Sequence, residues 1–292
     1  MHLPDQEIKE QPAKILLLPL AIAGWVTEAI ISPVINFFDY VGRLTIMTGQ
    51  ALWFIVTLRI PYHQTINQMA HLGSDSMFIV TMCVGFTGMI LATILAQQAI
   101  DLGFGAEYVG GAVVYAMATD LVPVLGGLVM AGRIGAGISS EIGTMVVTEQ
   151  VDALRALAVP PVRHLVVPRL LACAVMVPVI CFIAGFVGVW AGWIPLQFIQ
   201  GATVNKRIYF DSVANVLNYK LLWVAARKCL YFGLIIALIP CLEGFATRGG
   251  AKGVGVTVTR AVVISMVSIF IADLILTIKI ESILQKIFSF FQ

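Results

Sequence analysis

A chain of 292 residues that is 59% hydrophobic and 12% charged holds half the charge of a typical soluble domain, which is ~25% charged. That composition excludes a water-soluble body of this size, so the excess apolar surface, reflected in a mean hydropathy of +0.95, must face lipid. The formal net charge of +2 is too small to indicate nucleic acid, and only the placement of charges carries information.

The first dozen residues set Asp5, Glu7 and Glu10 beside Lys9. A signal peptide needs a basic start, a short apolar core and a small-residue cleavage site, so this segment is expected to be retained in the cytoplasm. Residues 14–35 are apolar but broken by Pro19 and Pro33, and a sixth span there stays open because membrane helices tolerate proline. Residues 36–58 mix Phe37, Phe38, Leu44, Ile46, Leu52, Trp53 and Phe54 with Asn36, Asp39, Arg43 and Gln50. That pattern predicts a helix lying in the membrane interface, with Arg43 and Arg59 near headgroups. Apolar runs near 75–99, 109–132, 164–195, 219–241 and 257–279 then follow. Each suits a membrane-crossing helix of about 20 residues. All are too long for barrel strands and lack two-residue alternation. The predicted fold is an all-α integral membrane protein, an N-terminal interfacial helix followed by five transmembrane helices. Its expected divisions are an extension over 1–31, an interfacial region over 32–73, the transmembrane domain over 74–279 and an amphipathic extension over 280–292.

Lys and Arg set the orientation. Lys9, Lys14, Arg43 and Arg59 precede the first span, Arg133, Arg155, Arg163 and Arg169 lie between the second and third, and Arg248, Lys252 and Arg260 between the fourth and fifth. With five spans these regions share one side. The connection at 100–108 has Asp101 and Glu107 and no base, although the loop at 196–220 holds Lys206, Arg207 and Lys220. The bias places the N-terminus in the cytoplasm and the C-terminus outside. Small residues recur every four positions at Gly127, Ala131, Gly135 and Ser139, and again at Ala184, Gly188 and Gly192. Such rows permit close helix or subunit seams, or reflect the general glycine content of membrane helices. Cys83, Cys173, Cys181, Cys229 and Cys241 lie in apolar runs without a CxxC spacing or a neighbouring His and read as small buried hydrophobes, neither disulfides nor metal ligands.

The most informative stretch is 131–169, where a short polar helix over 148–158 interrupts two spans. Thr148 can cap it, Glu149 and Asp152 fall where the helix dipole favours acid, Val151 and Leu154 share a face, and Pro160 and Pro161 end it. Such a helix either receives a push from a soluble partner or is a plain interfacial connector. Inside the spans, ionisable groups are expensive and face the bundle interior or a wet cavity. Gln97 and Gln98 end the first span, Asp120 lies in the second, Lys228 in the fourth with Arg227 beside it, and Asp273 in the fifth. Lys228 either attracts a lipid phosphate with Asp120 orienting it, or snorkels to the headgroups. No GxxxxGK[ST] occurs, and Gly249-Gly250-Ala251-Lys252-Gly253 lacks the strand and helix that a phosphate loop requires. His2, His63, His71 and His164 are scattered, with no HExxH or GxSxG. No catalytic or metal-binding set is read from the chain.

The run Gly132-Arg133, Glu141, Gly143-Thr144-Met145, Thr148-Glu149-Gln150, Asp152-Ala153-Leu154, Pro161, Arg163 and Pro168-Arg169 closely resembles the signature of the MlaE/YrbE permease family. The likeness continues more loosely from about residue 32 to about 279, through Glu243-Gly244-Phe245, Thr257, Thr259 and Arg260. It implies a homodimeric permease of a bacterial inner membrane, with an interfacial helix, five spans and no ATP site of its own. ATP would be bound by a cytoplasmic ABC ATPase docked through Thr148, Glu149, Gln150, Asp152, Leu154 and Arg155. An MCE-domain protein would meet the outer side, a STAS-domain protein often joins the ATPase, and the cargo would be phospholipid exchanged with an outer membrane. Gln97, Asp120 and Lys228 match positions that line the family's lipid cavity, and Arg227 is added to them. Two departures stand out. The family's Arg-Glu-Leu-Gly-Pro is here Thr119-Asp120-Leu121-Val122-Pro123, and residues 281–292, with Ile283, Leu284, Ile287, Phe288 and Phe291, extend past the usual end. The rival readings are an ion-coupled secondary transporter using Asp120 and Asp273, for which the two related halves are missing, and a non-transporting scaffold.

Overall fold

The structure, a computed structural model, describes the backbone of residues 11–57, 61–102, 108–198 and 205–290, and their side chains except those of 11–31, 33 and 279–290. The expectations for Asp5, Glu7, Lys9, Glu10, Arg59, Glu107 and the apolar face of Ile283, Leu284, Ile287, Phe288 and Phe291 lie outside the described residues. Two compact units divide the chain, Met1–Gly49 and Gln50–Gln292. Helix α1, Gln11–Val56, begins in the first and ends in the second. It passes through Pro19 and Pro33, where a break was expected. Each proline removes one backbone bond, and a helix of 46 residues keeps the rest. In the first unit Arg43 pairs with Asp39 one turn away, while Phe37, Phe38 and Ile46 stay exposed.

The second unit is built from α2 (Tyr62–Asp101), α3 (Val109–Val147), α4 (Gln150–Ala156), α5 (Val162–Leu196), α6 (Lys206–Val216), α7 (Tyr219–Phe245) and α8 (Gly250–Phe290). Five of these, α2, α3, α5, α7 and the stretch Gly250–Ile278 of α8, are long and apolar enough to cross a membrane, one for each predicted run. Each helix outruns its apolar stretch. At 1.5 Å per residue the 40 residues of α2 span about 60 Å, twice a hydrocarbon core of about 30 Å. Hydropathy marks where lipid begins, whereas the helix ends only where its backbone bonding does.

Both small-residue rows serve seams within the chain. Gly188 and Gly192 pack on Gly88 and Ala92 of α2, and a Cβ on Gly88 would collide with the Gly188 carbonyl. Gly127 and Gly135 of α3 receive Phe232 and Pro240 of α7, while Gly244 of α7 packs on Ile142 and the Ser139 carbonyl. Backbones this close gain the dispersion contacts that hold helices together in lipid.

Connections follow local rules. Asn205 accepts the Arg207 amide (3.1 Å) to start α6, and Asn218 accepts the Leu221 amide (2.9 Å) to start α7, as capping asparagines do. The α7–α8 turn needs Gly249 and Gly250 at φ +88° and +67°, which only glycine adopts without strain. The glycine run that superficially echoes a phosphate loop is therefore a helix-to-helix turn. The ambiguous loop at 196–220 contains the amphipathic α6. There Lys206 Nζ stacks 5.3 Å from the centre of the Trp193 ring, Ser212 Oγ accepts the Gly111 amide (2.9 Å), and Tyr209 donates to the Val189 carbonyl (3.0 Å). Burial pushes the Tyr209 phenol pKa well above its ordinary value, so it stays a donor.

Candidate functional sites: an ion cluster between spans and a short exposed helix

Inside the bundle, α3 departs from regular geometry at the wide π turns Met117–Leu121 and Ala131–Gly135, and α5 opens on a third, Val162–Val166. Each holds a charged or titratable group: Asp120, Arg133, and Arg163 with His164. Such turns rotate a side chain out of the regular register and recur at functional sites.

The first turn brings Asp120 to Lys228 of α7. Lys228 is 1% exposed. Its Nζ donates to Asp120 Oδ1 at 2.6 Å and to Thr277 Oγ1 at 2.9 Å, and lies 2.8 Å from Asp273 Oδ1 in an ion pair without hydrogen-bond alignment. Three helices thus converge on one ammonium. Two carboxylates around one lysine leave a formal surplus of one negative charge, and the side chain of Asp120 is 50% exposed against 21% for Asp273. Lys228 does not snorkel: it is consumed by internal partners, of which Asp120 is the more exposed.

Gln97 and Arg227 are not brought to this cluster. Gln97 is exposed near the end of α2, and Arg227, about 100° around the helix from Lys228, keeps its Nε buried without a hydrogen bond among the described residues. Thr277 was not singled out from the sequence, although it stands one turn from Asp273, the spacing that places two side chains on one helix face. An apolar cavity of about 280 Å³ lies on another side of α3, walled by Met117, Phe182, Phe186, Trp190 and Phe210.

The short helix is real but differently built. It covers Gln150–Ala156, less than the expected 148–158. Thr148 does not cap it: its Oγ1 donates back to the Thr144 carbonyl (2.8 Å), because Thr148 still belongs to the end of α3. Glu149 lies before the first turn at φ +59°, with only Asp152 inside that turn. The helix stops before Pro160. Ala158, at φ +56°, donates to the Arg155 carbonyl and Val159 to that of Leu154, both at 3.0 Å, the paired bonds of a Schellman turn. Glu149 and Ala158 are the two non-glycine residues of positive φ among the described residues, and they bracket α4. Each such residue costs roughly 1–2 kcal/mol. Val151 is buried and Leu154 half-buried, whereas Glu149, Gln150, Asp152 and Arg155 are exposed. Arg155 also bonds Asp152 at 2.8 Å. The helix is seated by one side chain and offers the others outward.

Beside α4, buried Arg169 of α5 pairs with Glu141 of α3 at 2.8 Å and donates to the Leu165 carbonyl at 2.7 Å, which ties together the helices on both sides of α4. On the same turn-side Glu243, also buried, lies 3.9 Å from Arg260.

A family model described as Permease MlaE matches residues 65–279. Similar proteins include the "Probable ABC transporter permease protein slr1045" of Synechocystis sp., 39% identical over 231 residues, or 79% of this chain and 87% of that protein. The "Probable ABC transporter permease protein RP096" of Rickettsia prowazekii is 35% identical over 244 residues, 83% of this chain and 93% of that one. The "Probable ABC transporter permease protein ycf63" of Pyropia yezoensis is 30% identical over 221 residues, 76% and 83% of the two chains.

Proposed function

The chain belongs to the MlaE permease family, and from that premise we propose that it moves phospholipid between inner and outer membranes, driven by a separate cytoplasmic ATPase. The observation that supports the lipid reading most is the Lys228 cluster, a cation buried among apolar spans with one half-exposed counter-ion. A lipid phosphate reaches Lys228 by displacing half-exposed Asp120, while Asp273 and Thr277 hold the ammonium in place. Charge-assisted bonds of this kind are stronger than neutral ones, so the exchange is selective for an anionic oxygen. The apolar cavity walled by Phe182, Phe186 and Trp190 suits an acyl chain. The ion-coupled carrier is weakened because Asp273, the more buried of the two acids it would use, is held against Lys228.

The ATPase docks on the exposed face of α4, through Glu149, Gln150, Asp152 and Arg155 with Thr148 and Leu154 at its edges. It binds the ATP. The chain pairs with a second copy, an MCE-domain protein meets the opposite side, and a STAS-domain protein joins the ATPase. In this reading the membrane is the bacterial inner membrane, the N-terminus is cytoplasmic and the C-terminus periplasmic. The test is reconstitution in vesicles with a fluorescent phospholipid. Movement should need both the ATPase and ATP, and the purified chain alone should hydrolyse none. Movement driven by an ion gradient, or turnover by the chain alone, would overturn the proposal.

A further inference from the structure

On the α4 side of the second unit, the first turns of α2, the end of α3 and the start of α5 enclose a cavity of about 760 Å³. Small-molecule sites occupy roughly 300–1,000 Å³. None of the Lys228 cluster lines it. Its wall is polar for a helix bundle, with Gln64, Gln68 and His71 from α2, Arg133 and Glu141 from α3 and His164 from α5.

Three observations point to what it takes. The first is charge. Glu141 and Arg169 neutralise each other. What stays open on the wall is Arg133, exposed and without an ion pair among the described residues, and Asp75, exposed and accepting one hydrogen bond, from Ser74 at 3.1 Å. One cation and one anion, contributed by different helices, face one space. The second is polar satisfaction. Gln64 Nε2 lies 3.1 Å from His164 Nε2, yet Gln64 Oε1 and Arg169 Nε, an acceptor and a donor, are buried without hydrogen bonds. Buried polar atoms are bonded in the large majority of cases, so these two leave the wall with hydrogen-bonding capacity unused. The third is depth. The apolar run of α2 begins near residue 75, and the cavity's lining on α2 runs from Gln64 to Ser76. The cavity therefore straddles the level where polar helix gives way to apolar helix, which is headgroup level, with Leu72, Ile134 and Ile138 also among its lining residues. Arg133 and His164 both stand in π turns, each rotated out of regular register.

We infer that this cavity is a headgroup site for a zwitterionic phospholipid of the leaflet next to α4, with the phosphodiester on Arg133 and a primary ammonium on Asp75. The inference rests on the lipid-transport reading and deepens it by naming the headgroup class and the leaflet of entry. The chemistry discriminates. A glycerol headgroup satisfies Arg133 but leaves Asp75 facing hydroxyls, and a quaternary ammonium has no N–H for the carboxylate. A primary ammonium supplies both charge and donors.

The test uses the full chain in nanodiscs of equal phosphatidylethanolamine and phosphatidylglycerol, with a photo-crosslinking amino acid in place of Asn67, which lines the cavity. Crosslinked ethanolamine lipid should exceed glycerol lipid roughly tenfold, the size of one charge-assisted hydrogen bond. Asp75→Asn should bring the two near parity, Arg133→Gln should lower both, and Asp75→Arg should invert the preference, a gain that a misfolded protein cannot show. Equal crosslinking in the wild type, or a ratio unmoved by Asp75→Arg, overturns the site. Loss of the crosslink to soluble glycerophosphoethanolamine at equal concentration overturns the lipid source. ATP-driven phospholipid movement by the same protein reconstituted in vesicles with its ATPase keeps the two readings apart. Movement without headgroup preference removes the cavity and leaves the permease, whereas preference without movement does the reverse.

Discussion

A lysine held within membrane helices costs several kcal/mol unless counter-charges come with it. Lys228 has two, yet they are not equivalent. Asp273 is mostly buried and Asp120 half exposed. Lys228→Met strands Asp273 and should cost about 3 kcal/mol of stability. Asp120→Asn should cost under about 1 kcal/mol, the scale of an exposed pair, because Lys228 keeps Asp273 and Thr277. Thermal unfolding of both variants in detergent checks the order, and equal losses would show that Asp120 is no looser than Asp273. If Asp120 is the partner that a phosphate displaces, the same Asp120→Asn protein should retain more co-purified phospholipid than wild type. Lys228 and Asp120 were legible in the sequence as polar residues in apolar runs. Their pairing was one of two readings. Thr277 was hidden because a threonine within a span is ordinary.

For α4, the helix is held by Val151 and by the Schellman bonds of its C-terminal end rather than by a side-chain N-cap. Glu149→Lys with Asp152→Lys reverses the charge of its exposed face, removes the Asp152–Arg155 bond and opposes the helix dipole. The double variant should lose co-purification of the ATPase or its stimulation by lipid. Unchanged values would make α4 a connector only. Ala158 tests the strain separately. Ala158→Gly removes a left-handed cost of roughly 1–2 kcal/mol and adds about 0.4–1 kcal/mol of unfolded-state entropy, so it should stabilise slightly. Amide exchange at Val159 should slow, while Ala158→Val should speed it. The existence and position of α4 were read from its acids and the following prolines. Its ends were not, because a left-handed alanine carries no sequence mark.

Across the second unit, the closest approach between two spans tested by a missing side chain is α2 on α5. Gly88→Ala pushes a Cβ against the Gly188 carbonyl, and since backbone cannot swing aside, the seam must open at a cost of about 1–3 kcal/mol. Gly255→Ala, with nothing within 4 Å of its Cβ, should be neutral or gain up to about 1 kcal/mol of helix propensity. Equal melting temperatures for the two would show that the seam is not tight. The small-residue rows announced close seams but not whether these joined helices of one chain or two subunits, since spacing names no partner.

The amino-acid sequence by itself determined the all-helical fold and its five spans. An apolar run of about 20 residues in lipid must bond its own backbone whatever surrounds it, so each run could be read alone. The charges flanking the spans and the polar stretch between the second and third were equally local. Only the tertiary structure decided which polar groups meet: Lys228 with Asp273 and Thr277, Arg169 with Glu141, Arg133 and Asp75 around one cavity. Those meetings depend on how each helix is rotated and crossed. Here π turns at Met117–Leu121, Ala131–Gly135 and Val162–Val166 shift the rotation after each, so an even helical period counted along the chain aims Asp120, Arg133 and His164 in the wrong direction.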